Sequence, residues 1–357
     1  MKLLSPGPSL CDPYVYQIMS QPLIHHRSPQ FLQVYQRLVH NLRKIVQDPS
    51  SEIIIQNGSG SYGMEATIKN LFHPYEKVLC IQTGYFSQRF AEMAQMHQLE
   101  VIHLHTSSDG TFTLEDIETM YTLHPDIKGI LVTHCETQTG ALQDIHHIGK
   151  IAHQHNSLFL VDSISGIIMN PLSMKQDHID AVIMASQKGF SIPPGLFMVA
   201  LSQKAIKKMQ SIRVNSYIFD YKLILKKYYD HQKINATPTI PLFLALDYSL
   251  EKLLQHDLAY WHSYYQYLHT TLCNGLSALQ YQLIVKNSSH SIAVCKTPYQ
   301  KQASLIQQRL CEQYQIRIEL GLLDPSDRIL RIGCMNHITI QDIKYFLRAL
   351  CEVTYGI

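Results

Sequence analysis

Lys188 and Asp162 are the residues whose types and spacing speak first to chemistry. Asp162 ends the apolar run LFLVD at 158 to 162, and Lys188 follows the apolar run AVIMASQ. A carboxylate at the C-terminal edge of a buried parallel strand lies where α/β sheets place their ligands. One strand-helix-strand unit is expected between the two, and its crossover returns Lys188 to the same sheet edge. A lysine at the mouth of a core strand has few structural uses, whereas burial there depresses its pKa and frees the amine to attack an aldehyde. A cofactor held as a Schiff base on such a lysine also needs a carboxylate at its ring nitrogen, which preserves the electron sink for a carbanion at Cα. Taken alone, Asp162 would serve equally as a helix cap or loop acceptor.

A third segment offers an anion site. In EIIIQNGSGSYGMEATIKNLF a strand-like run enters Gly58, Ser59, Gly60 and Ser61 and a helical pattern follows from about Tyr62, so backbone N–H groups point at an anion. Gly58, Gly60 and Gly63 also satisfy G-x-G-x-x-G, which raises a nicotinamide oxidoreductase as a rival. That rival needs an acidic residue closing the next strand, and VLCIQ at 78 to 82 leads instead into Gln82 and Thr83. The phosphate reading stands, beside the plain one of a strand-to-helix turn. His146, His147, His153 and His155 share one predicted helix, but none pairs with another at i, i+4, so no metal site is expected.

The elements that must position these residues alternate along the chain. Apolar, β-branched runs at 53 to 55, 78 to 82, 101 to 105, 129 to 134, 158 to 162 and 181 to 186 are separated by helical patterns. They are apolar throughout, as expected of strands covered on both faces in a mostly parallel α/β sheet. The run GLFMVALS at 195 to 202 follows too short a gap for a crossover and should pair antiparallel. From about 217 to 237 the chain turns rich in Tyr and Lys and reads as the passage between domains, with a long helix from near Leu242. The expected division is an N-terminal arm over 1 to 20, a large domain over 21 to 250 and a smaller α+β domain over 251 to 357.

Thirty basic against 28 acidic residues among 357 leave a formal charge of +2, too weak to point to nucleic acid or an anionic membrane. No window approaches the ~20 apolar residues of a membrane span. The eight cysteines show no C-x-x-C pair or metal-ligand spacing, which fits free thiols in a reducing, cytoplasmic setting.

Beside this reading stands a family resemblance. GSGSYGMEA (58 to 66), TGYFSQRF (83 to 90), THCETQTGAL (133 to 142), VDSISG (161 to 166) and SQKGFSIPPGL (186 to 196) resemble the class V aminotransferases of pyridoxal phosphate fold type I. LLSPGPS, NATPTIP and RILRIGCMN extend the likeness over nearly the whole chain, with the alanine:glyoxylate and serine:pyruvate aminotransferases most similar. The resemblance implies pyridoxal 5'-phosphate as cofactor, with Ser59, Gly60, Ser61 and Gln187 at its phosphate and Phe86 stacked on its ring. It puts Thr137 near the phenolic oxygen, Asp162 at the ring nitrogen, Lys188 in the Schiff base and Arg331 at the substrate carboxylate. Thr237 matches a residue that reaches the neighbouring subunit's phosphate, implying a homodimer with shared active sites.

Three positions depart from the pattern. Ile234 stands where relatives often carry Tyr, Cys135 replaces a frequent Gly, and Asn336 stands where Gly is common. The implied reaction moves the amino group of alanine or serine to the 2-keto acid glyoxylate or pyruvate, with aminoethylphosphonate as the nearest variant donor. Lyases and desulfurases share the scaffold and would need an acid or a mobile cysteine near the substrate, and no cysteine lies in a loop that can be placed there. A non-catalytic binding protein is disfavoured because Asp162 and Lys188 are both kept.

Overall fold

The computed structural model describes residues 1–107 and 111–356. The chain opens with β1 (Lys2–Leu3), α1 (Pro13–Met19) and α2 (Pro29–Ile45). Alternation then sets in with β2 (Glu52–Gly58), α3 (Gly60–Leu71), β3 (Lys77–Gln82), α4 (Tyr85–Met96), β4 (Glu100–His105), α5 (Leu114–Leu123), β5 (Ile127–Thr133) and α6 (Ile145–Gln154). Next come β6 (Leu158–Asp162), β7 (Ala181–Ala185), β8 (Gly195–Leu201), α7 (Gln203–Met209), α8 (Tyr221–His231) and α9 (Ile240–Leu253). The C-terminal part holds α10 (Leu258–Ala278), β9 (Gln282–Leu283), β10 (Ile292–Lys296), α11 (Ala303–Tyr314), β11 (Ile316–Arg317), β12 (Glu319–Leu320), β13 (Ile329–Gly333) and α12 (Ile340–Tyr355).

Strands β2 to β8 form one sheet in the order β2-β8-β7-β6-β5-β3-β4. β8 runs antiparallel to both its neighbours, as its short approach requires, and the remaining pairs are parallel. Every residue of β6 and β7 is buried. Their alternate side chains feed two cores: Phe159, Val161, Val182 and Met184 pack on one face, and Leu158, Leu160, Ala181 and Ile183 on the other. Helices on both faces make this the expected α/β architecture. A second, antiparallel sheet in the order β12-β13-β10-β9 carries the C-terminal helices.

Two local expectations are corrected, and a helix in the passage between domains is located. β4 lies at the sheet edge with His103 and His105 partly open to solvent, so it is not covered on both faces. No helix joins β6 to β7: single turns such as Ile167 N–H to the Ser163 carbonyl at 2.9 Å and Asn170 N–H to the Gly166 carbonyl at 3.0 Å stop before Pro171. The Tyr- and Lys-rich stretch contains α8, capped by the Asp220 carboxylate on the Leu223 N–H and anchored by buried Tyr221, whose hydroxyl meets Thr67 Oγ1 at 3.1 Å.

The N-terminal arm ties the two sheets together. β1 pairs with β11, the Leu4 carbonyl accepts the Gly333 N–H at 2.7 Å, and α1 packs on α9. Between these anchors the arm crosses the edge of the large sheet beside Lys188.

Candidate active site

The carboxyl ends of β2, β3, β5, β6 and β7 open into one crevice of about 350 Å³. Parallel register sets Thr133 beside Asp162 and Asp162 beside Ile183, so the last residue of β6 sits at the floor. Of the ten site residues expected from sequence, Ser59, Gly60, Ser61, Phe86, Thr137, Asp162, Gln187 and Lys188 line this cavity. Arg331 stands at its rim on β13, with Nη1 toward the Thr137 carbonyl at 3.5 Å and Nε donating to the Leu320 carbonyl at 2.8 Å. Thr237 does not reach the cavity. It is exposed, and its carbonyl accepts from Asn57 Nδ2 at 3.0 Å at the end of β2.

The floor is electrostatically primed. Burial pushes the Asp162 carboxyl up to about 7, against the Ile164 N–H at 3.0 Å that favours the charged form. Burial also lowers the Lys188 amine to about 8. Its Nζ donates to the Pro6 carbonyl of the arm. Gly7 is required there: at φ +129 its missing Cβ would lie 2.5 Å from Lys188 Cε and Nζ. At the other end, α3 begins at Gly60 rather than Tyr62, and the N-cap Ser59 spends no side-chain bond on the helix. Its hydroxyl and the Gly60 and Ser61 amides are left for a ligand, while the Tyr62 N–H donates to the Ser59 carbonyl at 3.0 Å.

Several wall residues were not singled out by sequence: Gly7, Pro8, Arg89 and Ser165, which hydrogen-bonds Thr137 Oγ1 at 2.8 Å. Glu136 acts from behind. Fully buried, it accepts the Phe86 N–H at 3.1 Å, the Ser87 N–H at 3.0 Å and the Gln138 N–H at 3.1 Å, capping α4 and fixing Phe86. Cys135 lines the cavity. It follows β5 directly rather than sitting in a mobile loop, bonds Ser291 Oγ at 3.2 Å, and is raised by burial to about 11. Asn336 has φ +62, a left-handed conformation that Asn tolerates after Gly, and its Nδ2 donates to the Lys188 carbonyl at 2.7 Å. Ile234 is partly buried against the core and offers no hydrogen-bonding group where relatives often carry Tyr.

The clustered histidines have other work. His146 meets Asp177 at 2.9 Å, His147 meets Asp144 at 2.7 Å and His155 meets Glu118 at 2.8 Å, while His153 stacks on His178. Among the described residues no group of three or more His, Cys, Asp or Glu is placed to hold a metal ion.

The description of the Aminotransferase class-V family matches residues 11–346, nearly the whole chain. The chain is a class V aminotransferase. An uncharacterised aminotransferase of Methanocaldococcus jannaschii is 30% identical over 93% of this chain and 87% of its own. The L-aspartate–glyoxylate aminotransferase of Paracoccus denitrificans is 27% identical over 94% of this chain and 86% of its own. The crystal structure of an alanine–glyoxylate aminotransferase from Nostoc sp. superposes with a TM-score of 0.93 at 28% identity, covering 98% of this chain and 94% of that one.

Aminotransferases of this class use pyridoxal phosphate, and the crevice of this aminotransferase fits it. The open first turn of α3 suits the phosphate, and the buried Asp162 lacks a cation that a protonated ring nitrogen would supply. Gln187 Oε1 is buried without a partner, beside the depressed amine of Lys188.

Proposed function

We propose that this aminotransferase moves the amino group of a small amino acid, alanine or serine, to glyoxylate or pyruvate, with Lys188 as the cofactor-bearing lysine. One observation carries the reading: the Lys188 amine and the Asp162 carboxylate face one crevice under the rim guanidinium of Arg331. When bound, pyridoxal phosphate supplies an aldehyde that takes up the amino group and a ring that spreads the charge left on Cα.

Each residue then has a task its surroundings suit. Arg331 exchanges its long bond to the Thr137 carbonyl for the two oxygens of the substrate carboxylate, fixing Cα above Lys188. Lys188, its amine lowered by burial to about 8, would hold the cofactor and could take up and return a proton at the substrate Cα. Asp162 holds the ring-nitrogen proton, and that positive partner keeps its own carboxyl ionised. Glu136 holds the α4 terminus so that Phe86 stays against the ring. Ser59, Gly60, Ser61 and Gln187 hold the phosphate, and Thr137 the phenolic oxygen.

Small neighbours support a small donor. Around Arg331 and Lys188 the wall is Gly7, Pro8, Cys135, Thr137 and Ser165. Among the described residues that line this wall, no arginine besides Arg331 is placed for a side-chain carboxylate or phosphonate, since Arg89 lies toward Ser61. A thiol held near 11 weighs against sulfur chemistry at Cys135. A panel of alanine, serine, aspartate and aminoethylphosphonate against glyoxylate and pyruvate tests the reading. Alanine or serine should lead by kcat/KM. A tenfold lead for either of the others, or sulfide release from cysteine without amino transfer, would replace it.

The proposal includes a cytoplasmic homodimer. Exposed Thr237 borders a basin with the cations Arg27 and Lys233, suited to a partner's phosphate. Its eight cysteines are unpaired, and among the described residues no helix is long and apolar enough to cross a membrane. A solution mass equal to one chain would count against the shared site.

A further inference from the structure

We propose that Arg89 is the charged member of the phosphate cradle and joins that cradle to the ring of Phe86. It rests on pyridoxal phosphate as the cofactor, not on the choice of donor. Arg89 lies one turn into α4, three residues beyond Phe86, and lines the crevice. Its Nη1 donates to Ser61 Oγ at 3.3 Å and its Nη2 to the Tyr85 hydroxyl at 3.1 Å. The guanidinium carbon lies 4.9 Å from the Tyr85 ring centre and 5.1 Å from that of Phe86.

What this group lacks is an anion. Arg37, Arg43 and Arg317 each have a carboxylate within ion-pair distance, whereas Arg89 has none among the described residues. A part-buried guanidinium between two aromatic faces gains some attraction from the rings, but its charge is left uncompensated. The other groups assigned to the phosphate are neutral: the Ser59 and Ser61 hydroxyls, the Gly60 and Ser61 amides and the Gln187 side chain. A phosphate monoester carries about −1.5 to −2 at neutral pH, more than neutral donors balance. Arg331, the other guanidinium at the crevice, is bonded to the Leu320 and Thr137 carbonyls on the substrate side. The cradle therefore has one cation of its own. Through the same side chain, phosphate binding is linked to the position of the ring that flanks the cofactor.

The competing role is a packing clasp that only orders Tyr85 and Phe86. The two differ in what they discriminate. Arg89→Gln and Arg89→Met, made in the full chain, are titrated as apoenzymes with pyridoxal phosphate and with pyridoxal, following protein fluorescence. Charge in the cradle predicts that the preference for the phosphorylated aldehyde falls at least tenfold, with pyridoxal affinity held within about twofold. The preference should also become less sensitive to salt. An unchanged preference in either variant that folds overturns the proposal, and so does a parallel loss of both affinities. Either variant suffices, because Gln keeps donors without charge and Met keeps the apolar stem.

Discussion

Raising the pH of the cofactor-free protein should bring Lys188 into its reactive form far below the range in which lysine ordinarily loses its proton. Burial lowers the amine from 10.5 to about 8; Cys135 and Asp162 oppose this and Arg331 assists. At pH 7 a lysine at 10.5 is neutral in about 0.03% of molecules and one at 8 in about a tenth, a gain of about 300-fold in the attacking species. The sign is fixed by the folded state's preference for the neutral amine. Its contribution to stability is full above 10.5 and is lost as pH falls through about 8. Capture of pyridoxal phosphate by apoenzyme, followed by the visible absorbance of the product, should rise with pH, reach half its plateau near 8 and flatten above about 9. In Asp162→Asn the midpoint should fall, because Asp162 favours the charged ammonium. A capture rate still climbing about eightfold between pH 9 and 10 would show an ordinary lysine and refute the reasoning.

Other consequences follow from the same geometry. Arg331→Lys keeps the charge but loses the fork, so KM for the amino donor should rise about 100-fold with a smaller fall in kcat in steady-state assays. Gly7→Ala forces a Cβ against Lys188 at an unfavourable φ; the variant should capture cofactor at least tenfold more slowly and lose about 1–3 kcal/mol in denaturant titrations. His134 and His269 are buried, with pKa values lowered by burial to about 3 and about 4, so their stabilisation is full above 6.5 and fades as pH falls. At pH 5 each should have cost about 2 kcal/mol relative to pH 7, and urea titrations of His134→Asn should show a flatter acid limb.

Much of the fold was legible because buried strands advertise themselves. LFLVD and AVIMAS are unbroken apolar runs, and the polar residue that ends or follows each one marks the sheet edge. The antiparallel β8 was legible from the short gap before it. The turns between β6 and β7 were not, since a chain this buried can pack irregularly where Gly166 and Pro171 interrupt a helix. α8 was legible in part, since KLILKK at 222 to 227 has helical spacing, but its buried anchors, Tyr221 and Ile224, show only in the structure. At the crevice, residues adjacent to strand ends could be placed from sequence, because position along a strand fixes position in the sheet. Glu136 was visible only as a letter in a motif, because what it does depends on amides 49 and 50 residues away. Arg89 reads as a helix-surface arginine until Ser61 is seen across from it. The placement of Cys135 was not legible for a related reason: the exchange of Gly for Cys says nothing of which way the thiol points.

The segment from Leu4 to Ser9 touches Lys188 and the strand that carries Arg331. Its Leu4 carbonyl holds Gly333, two residues past Arg331, and its Pro6 carbonyl holds the amine of Lys188. Tension applied at the amino end is therefore transmitted to the reacting centre. A tether, tag or surface linkage there would act as a handle on the chemistry, whereas the same attachment after α12 would leave it slack.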